Sequence, residues 1–247
     1  MGYTNLGLVK HAQKALALNT KYMWGGILRL IDNNYLKMMY KNWGNYPGSG
    51  YSDKRWTELQ SYVGKNYYGC DCIGLIKSYY WSGKDDGGTG SPNYGKAGYP
   101  DVNAGIMYNN AKVKGRIGTL PEVPGVIVYC KSSPHVGVYI GKGQVIESTL
   151  SSRGDGVVNT RLDQFKWEYW FECPYIDYIK TPAQTKVKLS VGDTIKIKKT
   201  AKFYAGTQIP IPTYVKGKKM TVANIKGSKS LIKEIYSWVS NSDLEKV

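Results

Sequence analysis

The chain lacks any apolar segment long enough to cross a bilayer. None of its apolar runs approaches the roughly 20 residues that a membrane-spanning helix needs, which excludes an integral membrane protein. The N-terminal segment is not expected to be a secretion signal, because Lys10, His11, Gln13 and Lys14 interrupt Leu6–Leu18. Apolar residues make up 42% and charged residues 21%, which is ordinary for a folded protein and excludes a mostly disordered chain.

Cysteine and histidine are scarce, at four and two residues in 247. The cysteines are Cys70, Cys72, Cys130 and Cys173. Four are too few for a disulfide scaffold in a chain of this length. A CxC pair with two distant cysteines does not match the CxxC spacing of zinc knuckles, so we predict no metal site and no cofactor.

Acidic residues are few relative to basic ones, 18 against 34, which gives a net charge of +16 and a pI near 9.5. Such a charge favours polyanions: nucleic acid, an anionic membrane surface or an anionic cell wall. Residues 181–247 alone hold 13 lysines and 4 acidic residues. The sequence has no run of five like charges and no helix-turn-helix, zinc-finger or RNP motif, so nucleic acid is the disfavoured partner.

Helical patterns come first along the chain and strand patterns follow. The spacing of apolar residues predicts helices over Leu6–Leu18, over Cys72–Trp81 and from a cap at Asp101 to Ala111. Short β-rich runs follow at 125–130, 135–140, 144–149 and 157–162. This order predicts an α+β domain over residues 1–179, with N-terminal helices packed on an antiparallel sheet. Residues 41–69 and 83–99 are expected to be long loops, apart from a short helix near 56–63.

The C-terminal quarter differs from the rest of the chain in composition and in its predicted secondary structure. Residues 180–186, KTPAQTK, are polar and include a proline, which predicts a linker. Five short strands with glycine turns then predict a small all-β, SH3-like barrel over residues 187–247. The predicted strands are Thr194–Lys198, Lys202–Tyr204, Met220–Ile225, Leu231–Ile235 and Ser237–Val239.

Cys72 stands at the predicted start of a helix. Unpaired N–H groups and the helix dipole at a first turn favour a thiolate over a thiol. A thiolate is the form of cysteine that attacks a carbonyl carbon. The alternative for a free cysteine is a buried, inert apolar side chain. Cys72 is therefore a candidate nucleophile.

His135 opens one predicted strand, and Glu147 lies 12 residues later on the next. Adjacent antiparallel strands joined by a short turn would bring the two side chains together. His135 could then act as a general base and afterwards as an acid, with Glu147 orienting its imidazole. The alternatives are a capping or surface histidine and a solvent-facing glutamate.

Three segments in this order resemble the NlpC/P60 family of papain-like cysteine peptidases, which act on bacterial peptidoglycan. They are Tyr22-x-Trp24-Gly25-Gly26, Asp71-Cys72-x-Gly74-Leu75-Ile76 and His135-Val136-Gly137-Val138-Tyr139-Ile140-Gly141. The match spans about residues 5–178, with long loop insertions. The resemblance implies a papain-like domain that cleaves an amide in peptidoglycan stem peptides, between D-Glu, through its γ-carboxyl, and the following diamino acid.

The resemblance also implies individual roles. Cys72 matches the nucleophile, His135 the base and Glu147 the third, polar residue of the catalytic set. The implied substrate-binding residues are Tyr22, Trp24 and Asp71. The backbone N–H of Cys72 and the hydroxyl of Tyr22 are the candidate donors of an oxyanion hole.

The sequence departs from the family pattern at three positions. Glu147 stands where histidine is common, which keeps an orienting role but changes the charge. Ile73 stands where serine is common, and Val126 replaces an acidic residue that usually follows Pro-Gly. In family members that require a stem peptide with a free N-terminal L-Ala, serine and aspartate help to bind its amine. Ile73 has no hydroxyl, which puts this requirement in doubt.

The C-terminal segment 233–239, with Asp243-Leu244, resembles bacterial SH3b cell-wall-targeting domains. Its tyrosine, tryptophan and lysine content suits contact with glycan, peptide or teichoic acid. Together the two resemblances imply a monomeric cell-wall hydrolase, either a phage endolysin released through a membrane lesion or a secreted bacterial enzyme.

Two alternatives remain for the function, and one motif is set aside. An N-acetylmuramoyl-L-alanine amidase on a similar papain-like fold is the nearest alternative within the hydrolases. A catalytically silent wall-binding protein is the alternative outside them. Residues 152–156, SRGDG, contain the RGD tripeptide, which we interpret as a glycine-rich turn between strands.

Overall fold

A computed structural model describes residues 2–45, 51, 53–82, 98–179 and 189–247. The chain divides into two compact units, Met1–Ile179 and Lys180–Val247. The predicted linker at 180–186 and nearly all of the predicted loop at 83–99 lie outside the described residues. Within them, every helix is too short or too polar to cross a membrane.

The first unit contains five α-helices among its described residues. They are α1 (Asn5–Leu16), α2 (Asn33–Trp43), α3 (Asp53–Gln60), α4 (Cys72–Ser82) and α5 (Ala104–Asn110). Thr4 caps α1 by accepting a hydrogen bond from the Gly7 N–H at 3.1 Å. Leu8, Ala12 and Ala15 form the buried face of α1, which confirms the predicted amphipathic helix.

Two sheets complete the first unit. The smaller one has the order β1-β3-β2 and consists of β1 (Thr20–Tyr22), β2 (Ile27–Leu30) and β3 (Tyr68–Cys70). The larger one is antiparallel, with the order β4-β9-β5-β6-β7-β8. Its strands are β4 (Lys114–Arg116), β5 (Ile127–Cys130), β6 (His135–Gly141), β7 (Gln144–Ser151), β8 (Gly154–Arg161) and β9 (Tyr169–Phe171).

The main core lies between the helices and the larger sheet. α1 and α4 pack on β6, and both contribute to one cluster of fully buried side chains. Leu8, Ile76 and Val138 belong to that cluster. This arrangement confirms the prediction of N-terminal helices on an antiparallel sheet, and it places the start of α4 beside β6 and β7.

Several predicted elements of the first unit were wrong. Residues 41–69 include the predicted short helix, as α3, but the rest is not all loop, since β3 lies within it and α2 ends there. Asp101 does not cap the short helix, because α5 starts at Ala104 and Asn103 accepts the capping hydrogen bond from Ile106 N–H at 2.9 Å. Asp101 instead pairs with Lys77 at 2.5 Å. Three-residue strands and a polar first turn carry too little periodicity to be recognised in sequence.

The second unit is an antiparallel five-stranded sheet with the order β13-β12-β11-β10-β14. The strands are β10 (Thr194–Ile197), β11 (Lys219–Lys226), β12 (Lys229–Ile232), β13 (Ser237–Ser240) and β14 (Leu244–Lys246). Its own buried cluster includes Ile195, Val222 and Leu244. The predicted strand at 202–204 was wrong, since Phe203 forms only an isolated bridge with Pro210. The SH3-like assignment stays a prediction.

Candidate active site

The backbone around Cys72 is tightly fixed. Cys72 is the first residue of α4, and the Asp71 side chain accepts hydrogen bonds from Gly74 N–H at 2.5 Å and from Gly25 N–H at 2.7 Å. A Cβ on Gly74 would lie 1.8 Å from the Gly26 carbonyl oxygen, so a larger residue could not occupy this position without moving α4. Asp71 and Gly74 therefore hold the nucleophile candidate at a set place.

Cys72 differs from the other cysteines in its exposure. Cys70, Cys130 and Cys173 are buried, whereas Cys72 is partly exposed. Burial raises the pKa of Cys173 to about 12 and that of Cys70 well above its ordinary value, so both stay thiols at neutral pH. Accessibility and placement thus single out Cys72.

The larger sheet brings His135 and Glu147 together. The imidazole Nε2 of His135, at the start of β6, lies 2.5 Å from Oε2 of Glu147, near the middle of β7. The Cys72 side chain lies near enough to the imidazole to raise the pKa of His135. Because Glu147 occupies Nε2, Nδ1 is the nitrogen left to face the thiol. Cys72, His135 and Glu147 are thus close together where α4, β6 and β7 meet.

The protonation states of His135 and Glu147 follow from the charged groups around them. Burial lowers the pKa of His135, but hydrogen bonds and charges from Cys72 and Glu147 outweigh it and raise the pKa to about 9. Burial raises the pKa of Glu147, but hydrogen bonds from His135, Arg153 and Thr160 outweigh it and lower the pKa to about 2. Glu147 is therefore a carboxylate and His135 is readily protonated at neutral pH.

Two aromatic rings enclose the imidazole. Trp167 stacks on His135 at 5.5 Å between ring centroids with an interplanar angle of 15°, and Phe165 meets it edge-on at 5.4 Å. These contacts hold the ring plane while leaving its nitrogens to Cys72 and Glu147. Sequence reasoning missed both rings, because they come from the irregular segment between β8 and β9.

Tyr22 lies near the candidate nucleophile. It ends β1, is paired in register with Cys70, and its backbone N–H donates to Asp155 Oδ1 at 2.9 Å. Burial and the neighbouring Cys72 and Asp71 raise the pKa of the Tyr22 hydroxyl, which therefore stays protonated and able to donate a hydrogen bond.

The other two predicted substrate contacts are placed differently. Trp24 is partly buried and packs against a second apolar cluster of this unit, which includes Met39 and Tyr51. The carbonyl of Trp24 accepts a hydrogen bond from the Tyr51 hydroxyl at 2.9 Å. Asp71 is buried, and both of its oxygens accept backbone N–H groups. Contact between substrate and Asp71 stays a prediction that these hydrogen bonds disfavour. Ile73 is buried in the main core rather than turned to the site.

Comparisons with known proteins found three solved structures of note. The P60 domain of an antigen from Mycobacterium avium subspecies paratuberculosis has 19% sequence identity and a TM-score of 0.38, and the match covers 70% of this chain and 98% of that chain. The peptidoglycan hydrolase RipB from Mycobacterium tuberculosis has 17% identity and a TM-score of 0.38, with 70% of this chain and 67% of that chain covered. The resuscitation promoting factor interacting protein RipA has 21% identity and a TM-score of 0.37, with 70% of this chain and 62% of that chain covered. At these TM-scores the likenesses establish neither a shared fold nor a shared activity. No family model and no curated protein matches the chain.

The second histidine is excluded as a base by its surroundings. His11 is fully buried on α1, and its Nε2 lies 2.8 Å from Ser78 Oγ. Burial lowers the pKa of His11 to about 3, so the ring stays neutral inside the core. Within the described ranges, no cluster of three or more histidine, cysteine or acidic side chains could hold a metal ion.

The pKa values of His135 and Glu147 predict how stability depends on pH. Because the pKa of His135 is raised from 6.5 to about 9, its stabilisation is complete below 6.5 and is lost as the pH rises through 9. Because the pKa of Glu147 is lowered from 4.5 to about 2, its stabilisation is complete above 4.5 and is lost as the pH falls through 2. We expect the Tm difference between wild type and His135→Ala to be largest between pH 4.5 and 6.5 and to shrink as the pH rises from 6.5 to 9. A difference that stays constant over that range in a thermal unfolding series would contradict this expectation.

Proposed function

We propose that the chain is a cysteine peptidase that hydrolyses an amide bond in the stem peptides of bacterial peptidoglycan. The observation that carries the proposal is the contact at 2.5 Å between His135 and the buried carboxylate of Glu147, with Cys72 beside the imidazole at the start of α4. This is the arrangement of nucleophile, base and orienting group that acyl transfer needs. The peptidoglycan substrate rests on the resemblance of the three sequence motifs to the NlpC/P60 family.

The chemistry follows from the three side chains. The Cys72 thiolate attacks the amide carbon, and the resulting oxyanion accepts hydrogen bonds from the Cys72 backbone N–H and the Tyr22 hydroxyl. His135 gives its Nδ1 proton to the departing amine as the C–N bond breaks. Neutral His135 then takes a proton from water, which attacks the thioester, releases the carboxylic acid and frees the Cys72 sulfur.

The scissile bond is proposed to join D-Glu, through its γ-carboxyl, to the diamino acid that follows. The structure favours a site that does not require a free N-terminal L-Ala. Ile73 is buried in the core, and both side-chain oxygens of Asp71 accept backbone hydrogen bonds. Neither side chain is therefore placed to bind the amine of a stem peptide. An N-acetylmuramoyl-L-alanine amidase uses the same three groups on a different bond and is the second candidate.

Digestion of purified peptidoglycan tests the function and the bond together. Walls with meso-diaminopimelate and walls with Lys are digested separately by wild type and by Cys72→Ala, and the new amines and carboxyls are mapped by mass spectrometry. We expect fragments cut after D-Glu with wild type alone. Cuts at the lactyl–L-Ala bond would move the protein to the amidases. Absence of a Cys72-dependent product from either wall, with folded and reduced protein, would leave the silent wall-binding alternative.

For the second unit we propose binding to an anionic wall polymer such as teichoic acid. Its surface combines lysines with exposed aromatic rings: Tyr236 and Tyr214 are 82% and 70% exposed, and Lys229 Nζ lies 5.4 Å from the ring centroid of Trp238. Lysines attract polyanions, and flat rings stack on sugars or peptide groups. A wall-binding role on an SH3b-like fold would raise the local concentration of the first unit at its substrate.

Tyr236 offers a clean test of that binding. Its φ of 47° lies in the left-handed region, which asparagine tolerates, so Tyr236→Asn removes the ring without backbone strain. We expect the full chain carrying Cys72→Ala to pellet with purified walls, and to pellet less when Tyr236→Asn is added or when the walls are stripped of teichoic acid. Equal pelleting in all three cases would contradict the proposed surface and ligand.

A further inference from the structure

The buried position of Glu147 creates an electrostatic problem for the proposed mechanism. The Glu147 side chain is fully shielded from solvent, and its Oε2 lies 2.5 Å from His135 Nε2. A buried carboxylate needs a counter-charge. If imidazolium were that counter-charge, His135 could not lose its proton without leaving an unpaired buried anion, and the step in which neutral His135 activates water would be hindered.

Arg153 provides a second cation at the same carboxylate. Its Nε lies 3.1 Å from Oε1 of Glu147 and its Nη2 lies 3.1 Å from Oε2. This is the two-point pairing for which a guanidinium is suited. The hydroxyl of Thr160 also donates to Oε1 at 2.8 Å, so both carboxylate oxygens are held from two sides.

The guanidinium is itself held in place. It lies 4.3 Å from the centroid of the Phe165 ring, one of the two rings that enclose His135, and its side chain is only 16% exposed. The Arg153 backbone N–H donates to Ser151 Oγ at 3.2 Å within the turn from β7 to β8. Arg153 therefore reaches back from this turn to the middle of β7 in one defined geometry.

The other end of the turn is anchored to β1 and α3. Asp155 accepts hydrogen bonds from both Nη atoms of Arg55, at 3.1 and 2.7 Å, and from Lys21 Nζ at 3.1 Å. It also accepts the backbone N–H of Tyr22. A Cβ on Gly156 would lie 2.6 Å from the Thr20 carbonyl oxygen, so glycine permits this close approach to β1. The SRGDG segment thus connects Glu147 to the strand that carries Tyr22.

We propose that Arg153 is a positioning residue that serves as the permanent counter-ion of Glu147 and so leaves His135 free to release its proton in each turnover. The inference rests on the proposed role of His135 as acid and base. The other titratable groups that face the imidazole, among the described residues, are Cys72 from α4 and Glu147 from β7; the Phe165 and Trp167 rings are uncharged. The RGD tripeptide is then an internal element of the site.

The test measures the proton affinity of His135 without any substrate. The chain has two histidines, and the pKa of the other, buried His11, is lowered to about 3, so the imidazole resonances of His135 can be followed alone by NMR between pH 5 and 10. Cys72→Ala serves as the background in every variant because it removes the contribution of the thiol. Arg153→Met is expected to raise the His135 midpoint by about one pH unit, since a cation near the imidazolium has been removed. Glu147→Gln is expected to lower it.

Arg161→Met is the matched control. Arg161 is an exposed arginine on β8 that pairs with Asp163, and its loss should leave the midpoint unchanged. Arg153→Lys keeps the positive charge without the two-point pairing and should hold the midpoint within about 0.3 units of the background. If Arg153→Met does not fold, Arg153→Gln takes its place with the same expected rise. A folded Met or Gln variant with an unchanged midpoint would overturn the proposal.

Hydrolysis by the same variants with Cys72 intact gives a second readout. Arg153→Met should lower kcat about 10-fold or more with little change in KM, and should move the alkaline limb of the pH profile upward. A purely structural role would lower stability without moving that limb. A shifted NMR midpoint in a chain that cuts no peptidoglycan would refute the proposed function and leave Arg153 as the counter-ion of Glu147 without a role in turnover.

Discussion

Cys72→Ala is expected to abolish peptidoglycan hydrolysis, with a fall in kcat of at least ~10³-fold. The substitution removes the sulfur that forms the proposed acyl-enzyme, and alanine cannot replace it. Only one partly exposed atom is lost, so the free energy of unfolding should change by less than about 1 kcal/mol. The rate of release of stem-peptide fragments, measured beside chemical denaturation, checks both statements.

Cys173→Ala is the matched control for that experiment. Its thiol is buried and lies 4.0 Å from Met107 Sδ. We expect the opposite pattern, with activity retained and stability lowered by about 1 kcal/mol through the small cavity left behind. If Cys72→Ala behaved like Cys173→Ala, Cys72 would be a structural cysteine and the nucleophile would have to be sought elsewhere.

Glu147→Ala is expected to damage both stability and activity. It removes the acceptor shared by His135, Arg153 and Thr160, and it leaves the guanidinium without its partner in a largely buried position. Breaking such a buried pair costs about 3 kcal/mol or more. The imidazole also loses its orienting group, so kcat should fall about 10²-fold or more even at temperatures where the variant is folded.

Two further variants make the Glu147 prediction specific. Glu147→Gln keeps the shape and part of the hydrogen bonding, so it should be closer to wild type in stability than Glu147→Ala. Glu122 precedes β5 in the chain and accepts hydrogen bonds near the end of β6, from the Tyr139 hydroxyl at 2.7 Å and from Lys142 N–H at 2.6 Å. Glu122→Ala should therefore leave the rate of hydrolysis unchanged. Urea denaturation and initial rates compare all three. Equal behaviour of the two alanine variants would contradict the assigned role of Glu147.

The sequence predicted those parts of the candidate site that depend on local secondary structure. α4 is a mostly apolar run of helical length, and β6 and β7 are short β-rich runs. A spacing of 12 residues across the short turn between these strands brought His135 and Glu147 into contact as expected. The placement of Cys72 on the first turn of a helix followed from the same pattern.

The remaining parts of the site depend on contacts that no local pattern reveals. Arg55 and Asp155 are 100 residues apart and meet only because α3 and the turn between β7 and β8 converge on β1. Arg153 was interpreted merely as part of a glycine-rich turn, since nothing in the tripeptide shows that its side chain folds back onto β7. Asp71 was expected at the substrate, but its neighbours Gly25 and Gly74 offer N–H groups that a buried carboxylate must satisfy.

Stoichiometric alkylation tests the central claim, that Cys72 is the nucleophile, most directly. The protein is treated with rising amounts of iodoacetamide, the modified cysteines are located by peptide mass spectrometry, and peptidoglycan hydrolysis is measured on the same samples. We predict that activity falls in proportion to the modified fraction of Cys72 and reaches zero at one label per chain, while the buried Cys70, Cys130 and Cys173 stay unmodified. Full activity in protein whose Cys72 is completely alkylated would contradict the account.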